Sequence, residues 1–354
     1  MGAQDVKKGG AESPPRGGKA DVTIFEVARE AGVSITTVSH VFTGNRPVNE
    51  ETRRRVQGAA ERLAYRPRAS ARALAFGRTM TLAVQFPFDS PAVLSVPYFN
   101  ALVPALSEAA VTNGYSYVLV PPNPPRETML VPLVERRGVD GAILLDPIRG
   151  DSFATELHRA GIPTVSLGRV IDFPETPRVD QDFESAFEGI AAHLETGGYR
   201  RPALFLFGGE MSTVYDLRQA FAHNFPDGPE VILAEHSDGA ARAEAERLLG
   251  TDQPPDAFIC LSELQAAGVY RAAAALGISI PDEIGVIALG DSGMAREMSP
   301  PLTALSIFPG RTGRLLVDLI HQLLVGDDEP PPVTLVQTEL IPRASSSSAP
   351  AVPA

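Results

Sequence analysis

The sequence predicts a small all-helical head followed by an α/β body of two doubly wound parallel sheets. Three observations carry this expectation. Residues 21–66 show apolar residues at helical spacing, interrupted by capping and turn residues. From residue 79 onward, apolar runs of strand length alternate with helical stretches, in two successive sets. The charge is also divided. Residues 1–78 hold 14 Lys and Arg against 8 Asp and Glu, a balance of +6, and the remainder holds 17 against 35, a balance of −18. A basic head on an acidic body suits a protein whose head alone meets phosphate, so the net charge of −12 does not exclude nucleic acid.

Composition narrows the class further. Hydrophobic residues are 44% of the 354, enough for large cores. The single cysteine, Cys260, lies in an apolar run and cannot form an internal disulfide. Residues 1–20 have no apolar core of a signal peptide, and no apolar run reaches membrane-spanning length. These features predict a soluble cytoplasmic protein without membrane partners. Residues 1–20 and the serine-rich tail 344–354 are expected to be disordered.

In the head, Thr23 and Glu26 have the spacing of a capping box. Ile24, Val27, Ala28 and Ala31 then share one helical face, and Gly32 stands where a left-handed residue would end the helix. Ser34 can cap a second helix over about 35–42, with Val38, Val41 and Phe42 inward and Thr36, Thr37, Ser39 and His40 outward. Gly44-Asn45 ends it, and Asn49 can cap a third helix with Val56, Ala60 and Leu63 inward and Arg53, Arg54 and Arg55 toward solvent. A short second helix presenting small polar groups after a tight turn suits major-groove reading, although helical geometry alone also fits a three-helix domain of another role.

Residues 22–79 resemble the head and hinge of LacI/GalR-family transcriptional regulators along almost their whole length. The match includes Ala28, Ala31-Gly32-Val33-Ser34, Thr37-Val38-Ser39, Val48, Arg53, Val56, Tyr65, Pro67, Ala71, Arg72 and Leu74. The resemblance implies a repressor that binds a pseudo-palindromic operator as a homodimer, nucleoid-associated when bound. It places Thr23, Ser34, Ile35, Thr36, Thr37, Ser39, His40, Thr43 and Asn45 at the DNA. Thr36 and Thr37 are expected to read bases, and Ser34 and Ser39 to contact phosphates. His40 stands where the family usually has Arg, so the contact there is expected to depend on pH. Thr43 stands where it usually has Asn. Both changes point to an altered half-site.

Between Pro67 and Gly77 lies an alanine-rich segment too short for a stable isolated helix. By the resemblance this hinge folds on the operator and wedges a leucine, here Leu74, into the minor groove. Arg68, Ala71 and Arg72 are the accompanying candidates.

The body's strand runs are 81–86, 115–121, 140–145 and 162–167, then 203–207, 231–234, 257–261 and 285–289. Helices are expected at 97–113, 127–137 and 151–160, then at about 183–196, 213–224, 238–249 and 263–276. Pro97-Tyr98-Phe99, Val139-Asp140-Gly141, Val179-Asp180, the stretch 280–286 and Ser299-Pro300-Pro301-Leu302-Thr303 continue the family resemblance. It implies a two-lobed effector domain like type I periplasmic binding proteins, with a helix near 310–325 returning to the first lobe. The division is then head 21–66, hinge 67–78 and effector domain 79–343. Lobe one is 79–178 plus 306–326, and lobe two is 179–305 plus 327–343.

Ligands in open α/β sheets sit at the carboxyl ends of strands, and a cleft between lobes is the default pocket for a small-molecule effector. Three departures from sugar-responsive relatives predict that the ligand is not a simple sugar held in the usual way. Arg218 is one residue out of phase with the expected arginine before Ala220-Phe221. Leu261-Ser262-Glu263 replaces Ala-Asn-Asp, and Leu289-Gly290-Asp291 lacks one of two carboxylates. Phe86, Phe88 and Tyr98 suit a more apolar ligand, and Asp146 and Arg169 complete the candidates with Arg218, Ser262, Glu263 and Asp291.

Rival classes find less support. Gly290-Asp291-Ser292-Gly293 resembles a serine-protease tetrapeptide, but no histidine is placed to pair with it. A dinucleotide-binding glycine motif is absent, and the six histidines share no ligand spacing, so no enzyme activity, cofactor or metal is expected. The alternative is a small-molecule-binding module whose pocket no longer takes sugars and which regulates without a sugar inducer.

Overall fold

The computed structural model describes residues 22–43, 46–65, 78–87, 96–207, 210–326 and 329–347. It divides into two compact units between Thr79 and Met80.

The first unit holds three helices: α1 (Ile24–Ala31), α2 (Ile35–Thr43) and α3 (Glu50–Arg62). Glu26 accepts hydrogen bonds from both the backbone N–H (2.7 Å) and the hydroxyl (2.9 Å) of Thr23, which fixes the start of α1. These bonds, the backbone one first, hold the Glu26 carboxyl below its ordinary range. Gly32 ends α1 at φ +63°, a conformation costly for residues with a Cβ. Ser34 Oγ accepts from Thr37 N–H at 3.1 Å, and Asn49 caps α3 by accepting from Thr52 N–H at 2.7 Å. Val27, Ala28, Ala31, Val38, Val41, Val56, Ala59 and Ala60 form the core. Arg55 does more than face solvent. Its guanidinium donates to the carbonyls of Ala31 (2.6 Å) and Gly32 (3.3 Å), satisfying the open end of α1.

The second unit contains two six-stranded sheets. The first has the order β11-β5-β4-β3-β1-β2, every pair parallel. Its strands are β1 (Thr81–Gln85), β2 (Ser116–Val120), β3 (Gly141–Leu145), β4 (Thr164–Leu167), β5 (Arg178–Gln181) and β11 (Val333–Val336). The second has the order β12-β10-β9-β8-β6-β7, parallel except where β12 runs against β10. Its strands are β6 (Pro202–Phe207), β7 (Glu230–Leu233), β8 (Ala257–Cys260), β9 (Gly285–Leu289), β10 (Thr303–Ser306) and β12 (Glu339–Ile341). The buried strands β3, β8 and β9 are apolar without alternation, as sheets covered on both faces require.

Helices α4 (Pro97–Thr112), α5 (Arg126–Glu135), α6 (Ser152–Ala160) and α12 (Pro309–Val325) serve the first lobe. Helices α7 (Phe183–Thr196), α8 (Ser212–Asn224), α9 (Asp238–Leu249), α10 (Glu263–Leu276) and the short α11 (Gly293–Glu297) serve the second. α5 carries wider π-type turns, with Arg136 N–H reaching Val131 O at 2.9 Å; Pro132 inside it has no N–H for an α ladder.

Two expectations need correction. The lobe boundaries shift, because β5 and β11 pair in the first sheet, so residues 178–181 and 333–336 belong to lobe one. The chain therefore crosses between lobes after β5, after β10 and after β11. The start of the tail expected to be disordered is packed. Ser345 and Ser346 are fully buried; Ser345 Oγ donates to Val286 O at 2.5 Å and accepts from Thr303 N–H at 2.8 Å. Hydrogen bonding to the starts of the interior strands β9 and β10, rather than apolar burial, holds it there.

Candidate functional site

In the head, α2 packs through Val38 and Val41, both buried, and turns the opposite side outward. Ile35 and Thr36 are exposed there, with Thr37, Ser39 and His40 half-buried at the margins. The Thr37 hydroxyl lies 2.8 Å from Ser34 Oγ, so these two side chains hold each other. The backbone of Thr43 closes α2. Asn45, Arg68, Ala71, Arg72 and Leu74 lie outside the described residues, as does Phe88 in the body.

In the second unit, a cavity of about 550 Å³ opens between the two sheets. Its walls come from the carboxyl ends of β3, β4, β5, β6, β7, β8, β9 and β10, together with the starts of α4 and α12. That is where parallel sheets leave room, because the crossover helices set out from the strand ends in different directions. The volume suits a small organic ligand. Val96, Pro97, Phe99, Leu167, Phe183, Phe207, Met211, Leu261, Leu289 and Ile307 make most of the surface apolar.

Five of the candidate ligand residues meet there: Tyr98, Asp146, Ser262, Glu263 and Asp291. The Tyr98 hydroxyl accepts from Gln181 Nε2 at 3.1 Å, and burial pushes its pKa well above the usual phenol range, which keeps it protonated. Ser262 caps α10 and shares a 2.9 Å contact with Nε2 of His236, which sequence reasoning did not select. Burial lowers His236, which keeps the imidazole neutral at neutral pH. Asp291 pairs with Arg343 at 2.6 Å and Arg296 at 3.4 Å.

Asp146 joins the lobes. It ends β3 in lobe one, and its Oδ1 accepts from the Ser212 hydroxyl (3.0 Å) and Thr213 N–H (2.9 Å) of lobe two. Burial dominates its environment and pushes the carboxyl up to about 6. Gly168 lets the lobes approach here. A Cβ at this residue would stand 2.4 Å from Ser212 Oγ, and its φ of +78° favours glycine.

Glu263 corrects the impression of lost acidity. A side chain at Gly290 would meet the Glu263 carboxyl at 3.1 Å, so the space left by the carboxylate absent at 290 is filled from α10. Ser292 N–H donates to Glu263 Oε1 at 2.6 Å.

Three candidates are not in the cavity lining. Phe86 is buried in the lobe-one core, edge-on to Phe99 with ring centroids 5.9 Å apart. Arg169 is drawn to Asp216 at 2.9 Å, and Arg218 to Glu230 at 2.6 Å. Arg169 of lobe one thus reaches across to α8 of lobe two, whereas Arg218 finds its carboxylate within lobe two.

Residues 23–68 match the family described as bacterial regulatory proteins, lacI family, and residues 191–346 match the periplasmic binding protein-like domain. The chain thus carries a LacI-family DNA-binding head and a periplasmic-binding-protein-like body. It is a DNA-binding transcriptional regulator with a C-terminal effector domain. Catabolite control protein A of Staphylococcus xylosus is 29% identical over 296 residues, covering 80% of this chain and 87% of that protein. The transcriptional regulator CelR in complex with cellobiose is 25% identical, with a TM-score of 0.68, covering 92% of this chain and 99% of that one. The Lac repressor dimer bound to operator and the anti-inducer ONPF shares the fold, with a TM-score of 0.77 at 23% identity, covering 93% and 100%. No described helix is long and apolar enough to cross a membrane. The LacI-family head favours a regulator over a ligand-binding module without DNA.

Proposed function

We propose that this LacI-family chain is a repressor that binds a pseudo-palindromic operator as a homodimer and releases or tightens its grip when a small molecule fills the interlobe cavity. The observation that carries the DNA reading is α2, whose packed side is apolar and whose opposite side presents Ile35, Thr36, Ser39 and His40. Thr36 and Thr37 approach base edges, Ser34 and Ser39 seat the helix on phosphate, and Thr43, Asn45 and Thr23 flank the contact. Arg68, Ala71, Arg72 and Leu74 serve the minor groove. A related regulator whose complex holds cellobiose, and a repressor solved as a dimer on operator, support this assignment.

Control follows from differential binding. A ligand touching strand ends of both lobes shifts the balance between open and closed arrangements only by its difference in affinity for them. The Asp146 bridge and the three chain crossings are the elements such a shift must work against. Capturing the chain on its source genome tests the proposal. Enrichment of one short pseudo-palindromic sequence upstream of genes supports it, and uniform coverage overturns it.

A further inference from the structure

Resting on the proposal that the cavity is the effector site, we infer that its ligand is an organic ammonium ion with an apolar body, and that Glu263 is the carboxylate that receives it.

Charge decides the sign. No Arg or Lys is found among the described lining residues. The nearby arginines are already held: Arg169 by Asp216, Arg218 by Glu230, Arg296 and Arg343 by Asp291. His236 lines the wall, and its burial keeps it uncharged. Four carboxylates line the same space, on Asp146, Glu235, Glu263 and Asp291. An anionic ligand would enter a low-dielectric chamber facing like charges without a cation to pair with.

The position of Glu263 decides the anchor. Asp291 is answered by two arginines, Asp146 Oδ1 is occupied by Ser212 and Thr213, and Glu235 is exposed at the rim. Glu263 is 2% exposed. Among the described residues, only Ser292 N–H bonds its carboxylate, through Oε1. Oε2 sits over Gly290, where the missing side chain leaves it open. The Ser292 N–H that an incoming anion could have used is thus already taken by the protein's own carboxylate. A buried carboxylate with one open oxygen calls for a charged donor. The same cavity is lined by Leu261, Leu289, Phe207 and Phe183, which suit an apolar or aromatic body.

The test uses the full chain and three probes of one shape: phenethylammonium, its carboxylate counterpart 3-phenylpropionate and neutral 3-phenylpropanol, with cellobiose as a fourth. Calorimetry and thermal melts are expected to show binding of phenethylammonium above the neutral probe and none of the carboxylate. Glu263→Gln is expected to weaken the ammonium probe by about thirtyfold or more. Glu235→Gln, at the rim, is expected to change it far less. Operator binding by each variant shows that the chain is folded and keeps this result separate from the DNA assignment. Preference for the carboxylate or for cellobiose, equal binding of the ammonium by wild type and Glu263→Gln, or no ammonium binding by a chain that still binds operator would overturn the inference.

Discussion

Replacing Asp146 by Asn removes a charge that the fold buries at the junction of its two lobes while keeping an acceptor for Ser212 Oγ and Thr213 N–H. Burial raises the carboxyl from 3.8 to about 6. A carboxyl raised on folding favours the protonated native form. Its stabilising contribution is complete below the unfolded value of 3.8 and is lost as pH rises through about 6. A rise of roughly two pH units at 1.36 kcal/mol each makes the loss about 3 kcal/mol. Asn has no proton to lose, so the variant escapes this loss. The stability of Asp146→Asn minus that of wild type should therefore climb by about 3 kcal/mol between about pH 3 and pH 7. Urea denaturation at several pH values, followed through the body's unfolding, measures the difference. A difference that stays constant across that range would refute the reasoning, because it would mean that the carboxyl titrates alike in the folded and unfolded chains.

Other substitutions probe the remaining contacts. Gly168→Ala forces a Cβ against Ser212 and into an unfavourable φ, and should lower the body's stability by about 1–3 kcal/mol in the same denaturation experiment. Arg55→Ala leaves the Ala31 and Gly32 carbonyls to water and should cost the head about 1 kcal/mol, read as faster amide exchange across residues 24–31. Leu74→Ala should weaken operator binding far more than binding to random duplex, since a wedge acts only at a deformable base step; equal losses would make Leu74 an ordinary linker residue.

Much of this architecture is legible in the sequence because its signals are local. The runs at 257–261 and 285–289 read as strands because apolar residues fill both faces, and Asp238 and Glu263 open helices because serines precede them as caps. β5, β11 and β12 escape such reading. They are three or four residues long and partly exposed, and their pairing depends on neighbours remote in the chain. The packed serines at 345 and 346 escape for a different reason. Low-complexity composition predicts disorder, whereas hydrogen bonds to the starts of β9 and β10 decide the outcome. The same limit applies to the cavity. The sequence shows a carboxylate missing at Gly290 and a longer acid at Glu263, but only the fold brings the second into the space of the first. The arginines at 169 and 218 likewise needed their partners Asp216 and Glu230 to be located.

The most direct test of the central claim is a titration of the full chain on a duplex carrying its enriched genomic sequence, at several salt concentrations and against a scrambled duplex. The account predicts a preference for the genomic duplex with two chains bound per site. It also predicts that affinity falls by about a thousandfold or more between roughly 50 and 200 mM salt, as release of counterions by a basic head requires. Equal binding to the scrambled duplex, a single chain per site or affinity independent of salt would contradict it.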